Sequence, residues 1–550
     1  MQTDTSGPEP GGLFGLGGRR LAILIISWLA LFAGINSIPI EEHEAFVLQT
    51  AREMHQTGDW VLPYFNQEPR LNKPPLNYWL TLGIAKISGN DFEPWTGRAN
   101  SMLAGLAVVL LTAGIGGKLY GARAGFLAAL LLLSTRGFCD FSNHARPDFL
   151  YAMLCVLQLY AWIESWRAAD GTSRQRLMAA LGWALAGLAT LSKGPQAPAL
   201  FLLGFLLFLL CGPERRRTLN VLRPLSGILI FSAIALPWWL LLQQRLRVAE
   251  IDLHKTQLSG SLLKKLSNWK EILSFYYVIE LLRLLLPASL LIPLLAIRSP
   301  RKWSMPVDAP RMIVYVIITV LAVFTVAGHY RLHYMLPLLP LGILLLAGWI
   351  SRTAERPLNR WIWLGFIGIG AVGLAACAGL LFWQRQYGAL FWLTGTGGTL
   401  FYLLRLECRM PAWNDHPFFK QLITASLFSV LLLAGSNALP LRNKEQELDR
   451  NFGLLIGRMV NTGDQLVAWK RFPDTLPYYA RNRVTLLEDL QDLKTCFEQK
   501  GDGRGVYLVM PCDQMSAVSN LFKVAPLATL ENQQKRERIL VFLRIEGLAP

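Results

Sequence analysis

The chain of 550 residues carries a formal net charge of +17, yet 53% of its residues are hydrophobic and only 17% are charged. A soluble domain carries about 25% charged residues, so this composition excludes a disordered chain and indicates a protein that places much of its surface in lipid. No nucleic-acid partner is expected, and the positive charge must be explained by where Lys and Arg lie along the chain.

Apolar segments long enough to cross a bilayer recur along the first 438 residues. A hydrocarbon core of about 30 Å needs roughly 20 apolar residues per helix, which predicts about thirteen membrane-spanning helices. No convincing cleavage site follows the first segment, which we interpret as an uncleaved anchor. The predicted spans lie near residues 21–39, 98–117, 122–138, 147–164, 177–192, 197–211, 224–243, 274–297, 312–328, 333–350, 360–383, 389–405 and 418–438.

Lys and Arg are concentrated in alternate short loops between these spans. The positive-inside rule then places the N-terminus in the cytoplasm, and an odd number of spans places the C-terminus outside. The few cations in the opposite loops are exceptions to this rule. They are Arg136, Arg146, Lys193, Arg331 and Arg385.

Two long insertions and a C-terminal segment complete the expected organisation. The insertions cover about 41–96 and 244–273, and the first contains two amphipathic pieces that are predicted to lie in the membrane interface. Residues 1–438 are expected to form the membrane domain, and residues 439–550 a small α/β domain on the periplasmic face. Its predicted strands are QLVAW, RVTLL, GVYLVM and RILVFLRI, with helices near 444–460, 489–499 and 513–521.

Cys496 and Cys512 both lie in this C-terminal segment. An oxidising compartment would permit a disulfide between them. A disulfide also requires a short distance between the two Cα atoms, which the sequence does not give.

Ionisable residues at the outer face are candidates for function, because a charge at membrane depth is costly. Arg146, Lys193 and Arg331 are kept on the outer side against the charge rule, and Lys73 lies on the same side. Together these cations indicate a bound anion, for which a phosphate at the membrane surface is the natural candidate. The alternative is that their side chains reach the lipid headgroups without binding a substrate.

The acidic run IEEHEAF offers a candidate base. Glu41 and Glu44 are three residues apart and share a helix face, and a carboxylate near apolar surface can serve as a general base. The alternative is an acidic first turn that stabilises the helix N-terminus. His43 and His254 are weak candidates for a divalent metal, because no complete set of ligands is visible; no cofactor is required.

At these residues the chain resembles a known family. The run AREMHQTGDWVLPYFNQEPRLNKPPLNYWL, residues 51–80, is similar to the first external loop of the C-type, polyprenyl-phosphate-dependent glycosyltransferases. The similarity is to the branch of aminoarabinose transferases and protein O-mannosyltransferase-like enzymes. LSKGP and YMLPLLP resemble later motifs of the same family. The matching positions of the loop are Arg52-Glu53-Met54, Gly58-Asp59-Trp60, Pro63 and Lys73-Pro74-Pro75-Leu76.

The resemblance implies roles for individual residues. The family's acidic pair falls on His43 and Glu44, so His43 replaces an acid for which Glu41 or Glu42 could compensate. Phe46-Val47 replaces an Arg-Tyr pair, and Asn72 replaces a carboxylate, which weakens a borrowed metal site. The implied catalytic residues are Glu44, His43, Asp148 and Glu42, and the implied residues for the donor and its lipid phosphate are Lys73, Arg146, Lys193, Arg331, Tyr334 and Arg52.

The resemblance also implies an activity. The protein would be a multi-pass glycosyltransferase of the bacterial inner membrane that takes a sugar from an undecaprenyl-phosphate donor. The acceptor would be lipid A, another envelope lipid or a protein at the periplasmic face. The alternative is a transporter or flippase for a lipid-linked or anionic substrate, but transporters usually carry midplane charges and paired repeats, whereas the charges here lie at the outer interface.

Overall fold

The structure is a computed structural model that describes most of the chain in two compact units. Unit 1 comprises residues 1–35, 71–77 and 98–439, and unit 2 comprises residues 36–70, 78–97 and 440–550. The described residues are 16–33, 35–36, 38–89, 92–212, 215–248, 275–298, 309–327, 331–353, 357–410, 416–439, 444–461, 463–499, 504–530 and 540–548.

Helices dominate both the described membrane segments and the connections between them. Among the described residues, short 3₁₀ helices join or extend the longer elements at Arg215–Arg217, Ala288–Leu290, Leu332–Leu338 and Cys512–Gln514. The α-helices are α1 Gly18–Ala30, α2 Glu42–Thr57, α3 Leu76–Ile87, α4 Pro94–Tyr120, α5 Ala122–Leu133, α6 Arg136–Ser142, α7 Asp148–Arg167, α8 Ser173–Lys193, α9 Gln196–Cys211, α10 Thr218–Leu222, α11 Pro224–Val248, α12 Tyr276–Leu284, α13 Leu291–Arg298, α14 Ala309–Ala327, α15 Leu339–Thr353, α16 Arg360–Trp383, α17 Tyr387–Cys408, α18 Pro417–Asn437, α19 Lys444–Met459, α20 Leu476–Ala480, α21 Leu490–Glu498 and α22 Met515–Ser519.

The predicted class, a mainly helical protein with several membrane spans, is confirmed. In the described part of the chain seven helices are long and apolar enough to cross a membrane, or nine if each of two bent pairs forms one span. The bends are 60° between α5 and α6 and 108° between α12 and the segment that follows it. The seven are Pro94–Tyr120, Asp148–Arg167, Arg215–Val248, Pro310–Ala327, Leu332–Arg352, Arg360–Trp383 and Pro417–Asn437.

The predicted number of thirteen spans is not reached by these criteria. Helix α1 has 13 residues and α9 has 16, so neither is long enough to count. Helices α8 and α17 are long, but polar residues interrupt them, among them Arg174 and Arg176 in the first turn of α8. The predicted loop 244–273 is described only where α11 extends to Val248, and the remainder lies outside the described residues.

The packing of α7 on α8 sets the geometry of unit 1. Trp162 of α7 is fully buried against α8, where a Cβ at Gly182 would collide with its indole ring. Glycine at this position therefore lets the two helices approach closely. Because consecutive helices joined by a short turn run antiparallel, the first residue of α7 and the last residue of α8 lie at the same end of the pair.

Unit 2 contains a five-stranded mixed sheet with helices on both faces. Strands β3 Gln465–Trp469, β4 Val484–Leu487 and β5 Val506–Pro511 are parallel, and β6 Phe522–Leu530 and β7 Leu540–Leu548 are antiparallel neighbours. The strand order is β4-β3-β5-β7-β6. β5 is buried along its whole length, as expected of a central strand. Cys496 and Cys512 are both free thiols, so no disulfide joins them.

A small hairpin also belongs to unit 2. Its strands, β1 Tyr64–Phe65 and β2 Glu68–Pro69, are joined by Asn66 and Gln67, whose φ angles of 58° and 62° match a type I′ turn. The carboxylate of buried Glu53 accepts hydrogen bonds from both turn N–H groups, at 2.8 and 2.9 Å.

The hairpin also hydrogen-bonds to the C-terminal sheet. The Asn66 side-chain amide donates to the carbonyl of Val484 at 2.7 Å and accepts from its N–H at 2.8 Å. The sequence placed residues 41–96 in the membrane domain, whereas the structure groups 36–70 and 78–97 with the C-terminal residues. Hydrogen bonds of this kind are the physical reason for that grouping.

Candidate functional site

A buried ion pair joins the adjacent ends of α7 and α8. The ammonium of Lys193, the last residue of α8, donates to the carboxylate of Asp148, the first residue of α7. Their side chains are only 6% and 5% exposed. Because each charge is removed from water, each depends on the other for compensation. Two predicted site residues, 45 positions apart in sequence, are thus brought into direct contact.

The turn that follows Lys193 is fixed by a glycine and a tyrosine. Gly194 has φ +125° and ψ 171°, a region of backbone conformation that is essentially restricted to glycine. The Tyr151 hydroxyl donates to the carbonyl of Gly194 at 3.0 Å and accepts from the N–H of Ala197 at 2.7 Å. This pair of hydrogen bonds ties the LSKGP turn to α7 and holds Lys193 in place.

Further charged and aromatic residues surround the ion pair. Arg146 and His333 both interact electrostatically with Asp148, and Lys73 interacts electrostatically with His333. The Lys193 ammonium lies 5.4 Å from the ring centre of Tyr334, within the range of a cation–π contact. The structure therefore brings five predicted site residues into one cluster in unit 1, namely Lys73, Arg146, Asp148, Lys193 and Tyr334.

This cluster carries more positive than negative charge. Lys193 and Arg146 interact electrostatically with the carboxylate of Asp148, and Lys73 interacts with neighbouring His333. Lys193 is buried and the other two side chains are half-buried, so water compensates their charge only in part. Cations and a tyrosine in a partly desolvated setting provide the interactions that a phosphate needs.

Arg331 lies apart from this cluster as the structure describes it. It precedes the 3₁₀ helix Leu332–Leu338, its side chain is exposed, and its backbone carbonyl accepts from the N–H of Tyr334 at 3.1 Å. Within the described part of the chain no contact joins its side chain to Asp148 or Lys193. The sequence assigned Arg331 to the phosphate site because it is a cation in a loop on the outer face. Its role stays a prediction.

The predicted acidic residues lie at the start of α2, in unit 2. Glu41 is the N-cap, and Glu41 and Glu44 form a capping box in which the Glu44 carboxylate accepts from the N–H of Glu41 at 3.2 Å. Glu44 is fully buried, whereas Glu42 and His43 are exposed. The helix-stabilising role, which the sequence left open as an alternative, is therefore present for Glu44.

Arg52 of α2 is engaged inside unit 2. Its guanidinium donates to the Gln49 side chain at 2.7 Å and to the carbonyl of Tyr478 at 3.2 Å, and it lies 4.7 Å from the ring centre of Tyr478. Burial lowers the pKa of Arg52, because the charged form loses water. These contacts support a structural role for Arg52, in addition to the predicted contact with the donor.

The candidate metal ligands are not supported by a complete site. Among the residues that the structure describes, no group of three His, Cys, Asp or Glu side chains is placed to hold a metal ion. His43 stacks beside Phe46, with ring centres 6.2 Å apart. His254 lies outside the described residues.

Sequence reasoning missed Tyr151. It counted His333 among the ionisable candidates of the outer face but assigned it no role at the phosphate site. Tyr151 follows Asp148 by three residues, so the two share one face of α7, and that spacing could have identified it. His333 precedes Tyr334 directly, with ring centres 4.8 Å apart. Only the fold brings His333 to Asp148, because the two lie on separate helices.

Similar proteins can now be compared with this fold and site. Residues 72–240 match the sequence profile of the family described as dolichyl-phosphate-mannose-protein mannosyltransferase. The undecaprenyl phosphate-alpha-4-amino-4-deoxy-L-arabinose arabinosyl transferase of Pseudomonas savastanoi pv. phaseolicola is 30% identical over 240 residues, which are 42% of each chain. The enzyme of the same name from Pectobacterium carotovorum subsp. carotovorum is 26% identical over 375 residues, 63% of this chain and 64% of that one.

The fold itself matches a solved structure over nearly its whole length. The crystal structure of ArnT from Cupriavidus metallidurans bound to undecaprenyl phosphate has a TM-score of 0.66 at 20% identity, covering 95% of this chain and 97% of that one. The chain spans 36–44% of the length of the first three curated relatives that it matches.

These findings confirm the resemblance to the polyprenyl-phosphate-dependent glycosyltransferases. Within that class, the two relatives named above and the matched structure belong to the aminoarabinose transferase branch.

Proposed function

We propose that the chain is an integral-membrane glycosyltransferase that moves a sugar from an undecaprenyl-phosphate donor to an acceptor at the periplasmic face. The acceptor is lipid A, another envelope lipid or a protein. The observation that carries this proposal is the cluster in which Lys193 and Arg146 interact with the carboxylate of Asp148 while Lys73 interacts with neighbouring His333. Its excess positive charge suits the phosphate of the donor, and the relatives act on, or bind, undecaprenyl phosphates by name.

In the proposed reaction, the bond between the anomeric carbon and the donor phosphate oxygen breaks. The acceptor oxygen forms a new bond to that carbon, and undecaprenyl phosphate leaves as an anion. Lys73, Arg146 and Lys193 stabilise the negative charge that grows on the leaving phosphate, a contribution of about 3–4 kcal/mol per donor in comparable sites. Tyr334 lies against Lys193 and lines the same cluster.

Asp148 acts as a positioning residue in this scheme. Its carboxylate is bound to Lys193, and a carboxylate that is held by a cation is a weaker base. We therefore assign to Asp148 the placement of Lys193, and not proton transfer. For a hydroxyl acceptor the proposed base is Glu44, flanked by Glu42 and His43. A phosphate acceptor is already an anion and needs no base.

We also propose the finer topology. The membrane domain crosses the bacterial inner membrane about thirteen times, with the N-terminus in the cytoplasm and residues 439–550 in the periplasm. The alternation of Lys and Arg between loops supports this arrangement. Labelling of single cysteines from either side of sealed vesicles tests it, and an N-terminal residue that is labelled from the periplasmic side would overturn it.

The activity is tested with purified full-length protein and a panel of undecaprenyl-phosphate sugars and acceptors, by measuring released undecaprenyl phosphate. Lys73→Ala should lower the rate by about 10²–10³-fold. Lys86→Ala, which removes an exposed lysine outside the cluster, is the matched control. No release with any donor, or equal rates for the two variants, would contradict the proposal.

The transporter alternative has a test of its own and no support from the comparisons. The two curated relatives described above are named as transferases. Flux of a lipid-linked sugar across proteoliposomes, without any transfer to an acceptor, would favour it.

A further inference from the structure

A long apolar cavity lies among the last three helices of unit 1, apart from the residues of the proposed reaction. Its volume is about 820 Å³, which is within the range of about 300–1,000 Å³ that is typical of ligand pockets. Helices α16, α17 and α18 pack on one another around it. Small residues keep the space open, including Ala375, Cys377, Ala378, Gly397, Gly398 and Gly435.

The cavity is almost as long as the hydrocarbon core of a bilayer is thick. Along α17 its lining runs from Leu390 to Cys408, a rise of about 27 Å for an α-helix. The hydrocarbon core of a bilayer is about 30 Å thick. The half of the cavity next to Cys408 therefore matches the depth of one leaflet, which is the depth that an acyl chain of a phospholipid occupies.

Two basic residues, Arg405 and Lys420, lie at one end of the cavity. Arg405 lines the cavity, and Lys420 interacts electrostatically with Cys408, which also lines it. No carboxylate of residues 357–410 or 416–439 forms an ion pair with either cation. Glu407, two residues after Arg405, also interacts electrostatically with Cys408, but its carboxylate is bound to Arg20 at 2.7 Å.

We propose that this cavity binds one acidic phospholipid of the bilayer. Its acyl chain lies along α17, and its phosphate is held by Arg405 and Lys420. In a zwitterionic phospholipid the headgroup ammonium already neutralises the phosphate, so this lipid would balance the positive charge of Arg405 and Lys420 less well. Because the site shares no residue with the cluster around Asp148, the inference goes beyond the proposed activity and does not depend on it.

Two pairs of matched variants test the site. A Cβ at Gly398 or at Gly395 would meet nothing within 4 Å, but only Gly398 lines the cavity. Gly398→Leu therefore fills the cavity, and Gly395→Leu is its control on the same helix. Arg405→Gln removes the charge at the mouth, and Arg409→Gln removes an exposed cation that does not line the cavity.

The experiment uses full-length protein reconstituted in nanodiscs that contain phosphatidylglycerol and phosphatidylethanolamine, with retained lipid counted by native mass spectrometry. We expect one retained phosphatidylglycerol per chain. Gly398→Leu should abolish its retention, and Arg405→Gln should lower the preference for phosphatidylglycerol about fivefold. Both controls should behave as the wild type.

Three results would overturn the proposal. One is equal retention in Gly398→Leu and Gly395→Leu. Another is retention of phosphatidylethanolamine in place of phosphatidylglycerol when both are supplied. The third is a dimer in which a second copy covers α17, detected by cross-linking through Phe401→Cys. Loss of folding in Gly398→Leu is distinguished by its thermal transition, which should not fall below that of Gly395→Leu.

Discussion

Asp148→Asn keeps the shape of the side chain but removes the counter-ion of buried Lys193. Since the two side chains are only 5% and 6% exposed, water cannot replace the lost carboxylate. Breaking a buried ion pair by removal of one partner costs about 3–5 kcal/mol. We therefore expect Asp148→Asn to lower the thermal stability of the purified protein clearly. Lys193→Met should do the same from the other side, because it leaves Asp148 without its cation.

The two variants should respond in opposite ways to undecaprenyl phosphate. In Asp148→Asn, the Lys193 ammonium is free to bond the phosphate, and a hydrogen bond to a charged group contributes about 1.5–3 kcal/mol. The affinity should therefore rise about tenfold or more. In Lys193→Met one phosphate contact is missing, so the affinity should fall. Ligand binding stabilises the folded state by an amount that grows with the logarithm of the affinity, which makes the shift in Tm the simplest measurement.

Glu164→Gln provides the control at the other end of α7. Glu164 is also buried, and it forms ion pairs with Lys118, Arg167 and Arg174. Its loss should lower Tm without changing the response to undecaprenyl phosphate. Equal shifts in Tm with ligand for the wild type, Asp148→Asn and Lys193→Met would refute the assignment of Lys193 to the phosphate.

Three further predictions concern one residue of unit 1 and two residues of unit 2. Glu53→Gln should lower the free energy of unfolding by about 1–3 kcal/mol and should speed amide hydrogen exchange in the β1–β2 hairpin. Glu68→Gln, at an exposed position of the same hairpin, should do neither. Equal exchange rates in the two variants would contradict this prediction. Gly194→Ala should lower the free energy of unfolding by about 1–3 kcal/mol, because alanine is strained in the backbone conformation of residue 194. Gly83→Ala is the control: its added Cβ meets nothing within 4 Å, so Tm should stay unchanged or rise. An unchanged Tm in Gly194→Ala would contradict this prediction. Glu44→Gln keeps an acceptor for the N-cap N–H, so Tm should hold while transfer to a hydroxyl acceptor falls about 10²-fold or more; unchanged transfer would assign Glu44 to the helix cap alone.

The helices of unit 1 could be predicted from sequence because hydropathy reports burial in lipid directly. Each predicted span overlaps a helix of the described chain or lies beside one. Their lengths and bends could not be predicted. The 60° bend between α5 and α6 lies in an apolar run that reads as one span, since hydropathy averages over the break.

The edge of the sheet in unit 2 shows a different limit. The helix predicted near 513–521 is present as α22, but β6 Phe522–Leu530 was not predicted. Its segment, FKVAPLATL, contains Pro526, and proline argues against a central strand. β6 pairs only with β7 at the edge of the sheet, with a register shift between Pro526 and Ala528, which is where a sheet tolerates proline.

In the structure the predicted site residues fall into two groups, which differ in the contacts that hold them. Lys73, Arg146, Asp148, Lys193 and Tyr334 meet because α7 and α8 are antiparallel and the 3₁₀ helix packs on α7. Such meetings depend on tertiary packing, which a short motif does not encode. Arg52 and Glu44 lie in unit 2, where hydrogen bonds already occupy them. The sequence left the helix-stabilising role of Glu44 open as an alternative, but it did not reveal the partners of Arg52.

Burial distinguishes the proposed phosphate site from ordinary positive loops better than a count of charges does. Glu164 at one end of α7 is paired with three cations, and Asp148 at the other end interacts electrostatically with two, Lys193 and Arg146. The cations at Glu164 are 34–67% exposed, so water solvates their surplus charge. Lys193 is 6% exposed and has no such access to water. An anion that enters beside Lys193 therefore gains more free energy than an anion that enters beside the cations of Glu164. The different responses of Asp148→Asn and Glu164→Gln to the ligand measure this difference.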